Sequence, residues 1–213
     1  DGVGNPMAIT GGRKPIAYYP IGDYAAFNGS EYLVNNGALQ DYVFDFDGSN
    51  DNINCGNDSS LNISGDLTLS AWIYINAHKN HNAIISKTNA SNRNYEMIVR
   101  GTGKITFSTN DGAGGSIVLT TSTTAITDNT WTHVSVVVES GVTNGTKFYF
   151  NGIEDATTST HTIVGQTHNL YIGSQFWPDF FLNGQLSNVQ IFNTALPATG
   201  SNSVETLYNN GTP

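Results

Sequence analysis

The apolar positions of this chain fall in short runs divided by turn-forming residues. In Leu67–Ile75 (LTLSAWIYI), Leu67, Leu69, Ala71, Ile73 and Ile75 alternate with Thr68 and Ser70. A period of two is the signature of a strand with one face on a core. Trp72 and Tyr74 make the second half apolar on both faces, so something must cover both sides there. In Trp131–Glu139 (WTHVSVVVE), Val134, Val136 and Val138 point one way, and His133, Ser135 and Val137 the other. Further strands are predicted at 16–19, 42–46, 83–87, 94–100, 103–108, 116–121, 146–151, 169–173 and 185–192. Asn-Gly pairs begin at Asn28, Asn36, Asn144, Asn151, Asn183 and Asn210. The pair suits type I′ turns, which need positive φ at both central residues. Asn144-Gly145, between two predicted strands, is the best hairpin candidate. Only Ser203–Tyr208 reads as helical, and the lack of any long amphipathic helix excludes doubly wound and barrel α/β folds.

Composition narrows the function classes. Charged residues make up 12% of the 213 positions, about half the usual ~25%, and 26 Asn fill part of that gap. Aromatics at 11%, with many Val and Ile, still provide a core. The net charge of −9 and eight scattered basic residues leave no electrostatic footprint for nucleic acid. No apolar run approaches the ~20 residues of a membrane span, so membrane insertion is not expected. Cys55 is the single cysteine, which excludes an intrachain disulfide and CxxC metal sites. Residues 1–15, rich in Gly and Pro, read as a linker or N-terminal arm, and residues 16–210 as one domain. Beginning at Asp1 without a basic-then-apolar leader, the chain is expected to be a processed product or a module of something longer.

Eight segments in order carry a family resemblance: Ile16–Pro20 (IAYYP), Phe46–Ile53 (FDGSNDNI), Leu69–Ile73 (LSAWI), Ile84–Lys87 (IISK), Trp131–Val134 (WTHV), Tyr149–Gly152 (YFNG), Leu170–Gly173 (LYIG) and Gly184–Phe192 (GQLSNVQIF). Over about residues 15–209 the chain resembles the laminin-G-like, concanavalin A-like lectin-glucanase superfamily. The resemblance implies an all-β, two-sheet antiparallel jelly-roll sandwich of some twelve strands, its termini meeting at one edge. Period-two patterning agrees with that architecture. The opening YYPIGDYAAFNGSEYLVNN and closing NVQIFNTALPATGSNSVETLYNNGTP are similar to laminin-G-like modules of marine bacteriophage structural proteins. Modules of this superfamily also occur on secreted bacterial enzymes and adhesins.

Catalysis finds no constellation. Glycoside hydrolysis needs two carboxyl groups flanking the scissile bond, and enzymes related to concanavalin A supply them as Glu-x-Asp-x-(x-)Glu on one strand. Here Glu31, Glu96, Glu139, Glu154 and Glu205 are the only glutamates, none in that pattern. Glu154 and Asp155 are adjacent and on a strand would face opposite ways. Ser70, Ser86 and Ser187 lack a G-x-S-x-G setting, and His133 in WTHV suits a structural role. A non-enzymatic module is expected.

In relatives, the FDG aspartate and an acidic residue of a late G-x-I-D-E strand help hold a structural Ca²⁺. Asp47 matches the first, followed by Asn50 and Asp51, but Ser187 and Asn188 stand where the late acids are usual. A hard cation wants several oxygens including carboxylates, so the expectation is no required cofactor and at most one structural Ca²⁺ at Asp47, Asn50 and Asp51. The competing reading makes Asp47 a turn residue bonding nearby amides. His78 and His81, three apart on a polar loop, lack a third metal ligand nearby and read as solvated or hydrogen-bonding.

The segment Gly173–Gly184 (GSQFWPDFFLNG) joins two predicted strands yet concentrates Phe176, Trp177, Phe180 and Phe181 around Pro178. Aromatic faces stack on sugar rings while amides and carboxylates bond hydroxyls. Trp177 is the expected platform beside Phe176. Asp179, Gln175 and Asn183 are the expected hydroxyl partners, with Arg93 and His81 contributing from neighbouring loops. Phe180 and Phe181 fit equally well as a plug at one end of the sandwich. The net charge disfavours acidic polysaccharides unless Ca²⁺ bridges them. The expected function is a non-catalytic, lectin-like module for attachment to host or environmental glycans, on a phage virion or other extracellular surface. One alternative is a structural or decoration module docking other virion proteins through residues 1–15. Another is an accessory domain of a secreted glycoside hydrolase.

Overall fold

The computed structural model describes residues 17–19, 43–89, 91–110, 115–176 and 180–208, with backbone alone at 17–19. Its strands are β1 (Ala17–Tyr19), β2 (Phe44–Asp47), β3 (Ile53–Asn54), β4 (Leu67–Ile75), β5 (His81–Thr88), β6 (Arg93–Arg100), β7 (Lys104–Asn110), β8 (Ile117–Ala125), β9 (Thr132–Val138), β10 (Thr146–Phe150), β11 (Ile153–Ser159), β12 (Tyr171–Ile172) and β13 (Asn183–Phe192). One short helix, α1 (Val204–Tyr208), follows. A seven-stranded sheet runs β1-β13-β4-β9-β10-β11, with β2 also on β13, and a six-stranded sheet runs β3-β12-β5-β6-β7-β8. The ladders are antiparallel, giving the two-sheet sandwich of the jelly roll. Among the described residues no helix is long and apolar enough to cross a membrane.

Alternation decides which side chains meet between the sheets. From the seven-stranded sheet come Leu67, Leu69, Ala71, Ile73 and Ile75 of β4, Val134, Val136 and Val138 of β9, and Phe148 and Phe150 of β10. The six-stranded sheet answers with Tyr95, Met97 and Val99 of β6 and Ile105 and Phe107 of β7. Nearly all are at or close to zero exposure. Tyr95 is wholly buried, and its hydroxyl donates to the Leu61 carbonyl at 3.0 Å, so the one polar atom it brings inside is satisfied.

The expected second cover over β4 comes from the C-terminal segment. Trp72 on the outer face stacks on Tyr208 of α1 with ring centroids 5.6 Å apart and tilts against His133 at 5.4 Å. Tyr74 packs against Trp131 at 5.6 Å. Val137, Tyr149 and Val204 form a small second apolar cluster beside them, joined by Ala195 and Ala198. This covering layer puts His133 and Trp72 at 1% and 3% exposure.

Three local expectations need correcting. Strand β11 lies outside the predicted set, because its sequence IEDATTS has no apolar alternation. As the edge of its sheet it buries little beyond Asp155. The stretch expected as strand at 169–173 pairs only over Tyr171–Ile172. Asn144 has φ 57°, but the β9–β10 connection is a wider loop in which Glu139 N bonds Gly145 O at 2.9 Å. The two-residue hairpin is instead Asn151-Gly152, with φ of 51° and 78° and Phe150 paired to Ile153. Glu154 and Asp155 do face opposite ways: Glu154 bonds the Tyr149 hydroxyl, while Asp155 accepts amides from Thr123, Thr124 and Thr157. The arm expected at 1–15 and the Asn-Gly pairs at Asn28, Asn36 and Asn210 lie outside the described residues.

Candidate functional site

On the outer face of the six-stranded sheet, Ser86, Glu96, Ile98 and Ser108 are buried. The segment after β12 leaves the sheet at Gly173, whose φ is 79°, and an added Cβ there would lie 2.1 Å from the Phe46 ring. Only glycine permits that approach. Leu182, fully buried, returns the chain and donates its amide to the Gly173 carbonyl at 2.8 Å. The chain that leaves at Gly173 and returns at Leu182 is therefore a loop pinned shut at its base.

Beneath that loop is a cavity of about 390 Å³ lined by His81, Arg93, Glu96, Ile98, Arg100, Gln175 and Phe180. Its volume is within the ~300–1,000 Å³ usual for small-molecule sites. The floor is β6. With Tyr95, Met97 and Val99 turned inward, Glu96, Ile98 and Arg100 must face outward. Glu96 is 1% exposed and fully engaged. Its Oε2 accepts from Ser108 Oγ at 2.7 Å and lies 3.3 Å from Arg93 Nε; its Oε1 accepts from Gln175 Nε2 and, at 3.5 Å, from Ser86 Oγ. Burial pushes the Glu96 carboxyl up, and Arg93, Ser108, Arg100 and Ser86 pull against that shift. A single carboxylate thus ties together β5, β6, β7 and the loop.

At the other end of the cavity His81 pairs with Arg100 across the β5–β6 ladder. Arg100 Nη1 donates to His81 Nε2, and Arg100 Nε donates to Thr106 Oγ1 at 3.1 Å. Burial, then Arg100 and Arg93, hold His81 below the ordinary histidine value. Neutral at pH 7, it accepts at Nε2 and carries its proton on Nδ1. Phe180 covers the His81 ring at a centroid distance of 4.2 Å.

Of the residues expected from sequence, the cavity gathers Gln175, Arg93 and His81. Trp177 and Asp179, with Pro178, lie outside the described residues. Phe176 is 51% exposed and is not part of the lining. Asn183 is drawn elsewhere: its Oδ1 accepts from Asn76 Nδ2 at 3.3 Å and its amide donates to Asn82 Oδ1 at 3.0 Å. Glu96 and Arg100 join the lining although neither was expected there, and Phe180, which fitted a plug equally well, lies in it too. The available signal was a charge inside a strand whose alternate positions are all core.

The turn considered for calcium is built differently. Asp47 Oδ1 accepts the Ser49 and Asn50 amides at 2.7 and 3.4 Å, and Asp51 Oδ2 accepts the Asp47 amide at 2.9 Å. Lys79 Nζ donates to the Gly48 carbonyl, so an ammonium already lies against the turn. Among the described residues no group of three or more His, Cys, Asp or Glu could hold a metal ion. In this turn one oxygen of each carboxylate serves an amide, and the cation lying against it is the lysine.

A family model described as the concanavalin A-like lectin/glucanases superfamily matches residues 47–200. No curated protein is similar to the chain in sequence. Among solved structures, the CBM40 of the IT-sialidase of Ruminococcus gnavus, bound to α2,3-sialyllactose, superposes with a TM-score of 0.64 at 10% identity, over 92% of this chain and 100% of that one. The NanB sialidase of Streptococcus pneumoniae gives 0.58 at 17%, over 86% and 27%. The binding domain of Paraclostridial Mosquitocidal Protein 1 gives 0.55 at 18%, over 74% and 40%. The chain thus spans less than two thirds of the last two.

Proposed function

The chain belongs to the concanavalin A-like lectin/glucanases superfamily, and from that premise we propose that it is a non-catalytic carbohydrate-binding module acting at an extracellular or virion surface. The observation that carries this reading is the cavity under the 174–181 loop. It combines aromatic faces, an amide and guanidinium donors over β6. Sugars ask for that mixture, with ring faces for their CH surfaces and fixed polar groups for their hydroxyls. Gln175, Arg93 and His81 are the proposed polar contacts. Trp177, Phe176, Asp179 and Asn183 remain proposed contacts around the loop, with Trp177 as the outer stacking platform. Among the described residues the cavity lining holds one carboxyl group, Glu96, whereas acid–base or nucleophile–acid hydrolysis needs two. Sialyllactose on the Ruminococcus gnavus module supports a glycan as the ligand class.

A shallow site binds one sugar weakly, and many copies on one particle convert weak contacts into firm attachment. A phage particle would supply those copies, with residues 1–15 as the arm that docks the module. The test is a glycan array and a bacterial-surface binding assay with the pure chain, beside Phe180→Ala and Trp177→Ala. Binding by the wild type and its loss in folded variants is the expected result. Hydrolysis of any bound glycan, or no binding to any of them, overturns the reading. Mass spectrometry of purified phage particles checks the proposed location.

A further inference from the structure

Among the described residues, the cavity lining carries an imbalance of charge. Two guanidiniums, Arg93 and Arg100, face one carboxylate, Glu96, and His81 is neutral because it accepts from Arg100. The side chains bend toward each other. On a strand rising ~3.3 Å per residue their Cα atoms are roughly 23 Å apart. Arg93, however, reaches forward to Glu96 through Nε, and Arg100 reaches back to Thr106, which pairs with Ile98. The two cationic groups therefore end about two residues of strand apart, roughly 7 Å. Each lies close enough to lower the proton affinity of His81. Glu96 lies beneath them, with all four of its contacts made by Ser86, Ser108, Gln175 and Arg93. Among the described residues, neither Nη group of Arg93 nor Nη2 of Arg100 has a partner.

We propose that this gap receives the carboxylate of an acidic sugar, held between the Nη groups of Arg93 and Arg100 beside the His81–Phe180 ring pair. The inference rests on the carbohydrate-binding reading and names the substrate class of the same cavity. A planar carboxylate matches the guanidinium fork, and charge-assisted bonds of this kind are about twice as strong as neutral ones. The overall charge of −9 does not outweigh this. At ~0.15 M salt the screening length is about 8 Å, so distant surface carboxylates are damped. The two guanidiniums act at contact range. The net charge is therefore a poor guide to this site, although it favours neutral glycans when the chain is considered as a whole.

The experiment is a set of binding isotherms for the intact chain with oligosaccharides ending in galacturonic acid or in N-acetylneuraminic acid. Each is measured beside its own carboxyl methyl ester, which keeps the ring and removes the charge. At least one acid is expected to bind about ten-fold or more tightly than its ester, with the advantage shrinking as salt is raised. Arg100→Gln and Arg93→Gln are expected to bring the acid-to-ester ratio near one. If acid and ester bind alike, the inference fails while the carbohydrate reading stands. If no glycan on the array or in these isotherms binds, both fail. The acid–ester comparison on the wild type decides the matter even where an arginine variant does not fold.

Discussion

The two outer faces of this sandwich begin from the same alternation and end differently. On the seven-stranded sheet, α1 and the segment before it seal the outward side chains, so Trp72, His133 and Tyr149 are buried. On the six-stranded sheet, Glu96 and Ile98 are buried as well, but among the described residues charged groups line a cavity over β6. Both faces bury polar side chains, but they satisfy them for different ends. His133 accepts or donates through Nε2 at Ser70 Oγ, 2.8 Å away, and leaves Nδ1 without a partner. Glu96 has its oxygens matched, while among the described residues the arginines above it keep unused donors. The sealed face is tuned for burial, and the open face keeps hydrogen-bonding capacity in reserve.

The largest effect should come from breaking the seal. Trp72→Ala removes a nearly buried indole from between Tyr208 and His133 and should cost ~3–5 kcal/mol in urea unfolding. Glycan binding by the fraction that stays folded should not change. A loss of binding without a loss of stability would mean the two faces are not independent.

Acid should act next, on two buried histidines: His133 of the sealed face, and His161, which bonds Thr109 and Thr120 and packs on Phe107. Burial pushes His133 down to about 3 and His161 down to about 4, from an ordinary value of 6.5. The unfolded chain therefore takes up these protons first as pH falls. Stability is full above pH 6.5 and declines toward pH 4, by up to ~1.4 kcal/mol per pH unit for each histidine. Urea midpoints between pH 7 and pH 4 measure this, and His133→Gln should flatten the slope.

On the open face, Glu96→Gln should cost ~1–3 kcal/mol. The new amide group meets donors where the carboxylate accepted them. Phe180→Ala should cost less stability than Trp72→Ala, because Phe180 is only half-buried, and should weaken sugar binding instead. Equal stability losses for Phe180→Ala and Trp72→Ala would erase the contrast between the faces. Smallest of all is the metal: neither added calcium nor EDTA should move the thermal midpoint measurably. Lys79 already donates to the Gly48 carbonyl in that turn, and an ion that does not bind has no linkage to stability.

Much of the sandwich was legible because core strands cannot avoid alternation. The five inward residues of β4 and the three valines of β9 appear in the sequence as they appear in the core. Edge strand β11 was not legible, since Thr and Ser residues that bury little follow no hydrophobic rule. The site divided the same way. Gln175 stood out by its place in an aromatic-rich connection, and His81 and Arg93 by theirs near loops. Glu96 and Arg100 sit inside a strand, where a charge reads as an ordinary solvent-facing position. Only the covering loop and the partner strands, more than ten residues away, reveal that this position is roofed.

The bond between Leu182 and Gly173 carries a consequence for how such a molecule changes over time. It fastens the two stems of the loop to each other, one leaving the six-stranded sheet and one entering the seven-stranded sheet. Whatever runs between them is a cassette on a fixed socket. Lengthening a loop costs only about (3/2)RT times the logarithm of its length. With Gln175 held on Glu96 as part of the socket, the connection beyond it can be extended while the sheets below keep their register, so a lineage carrying this domain can change what it recognises without relearning how to fold.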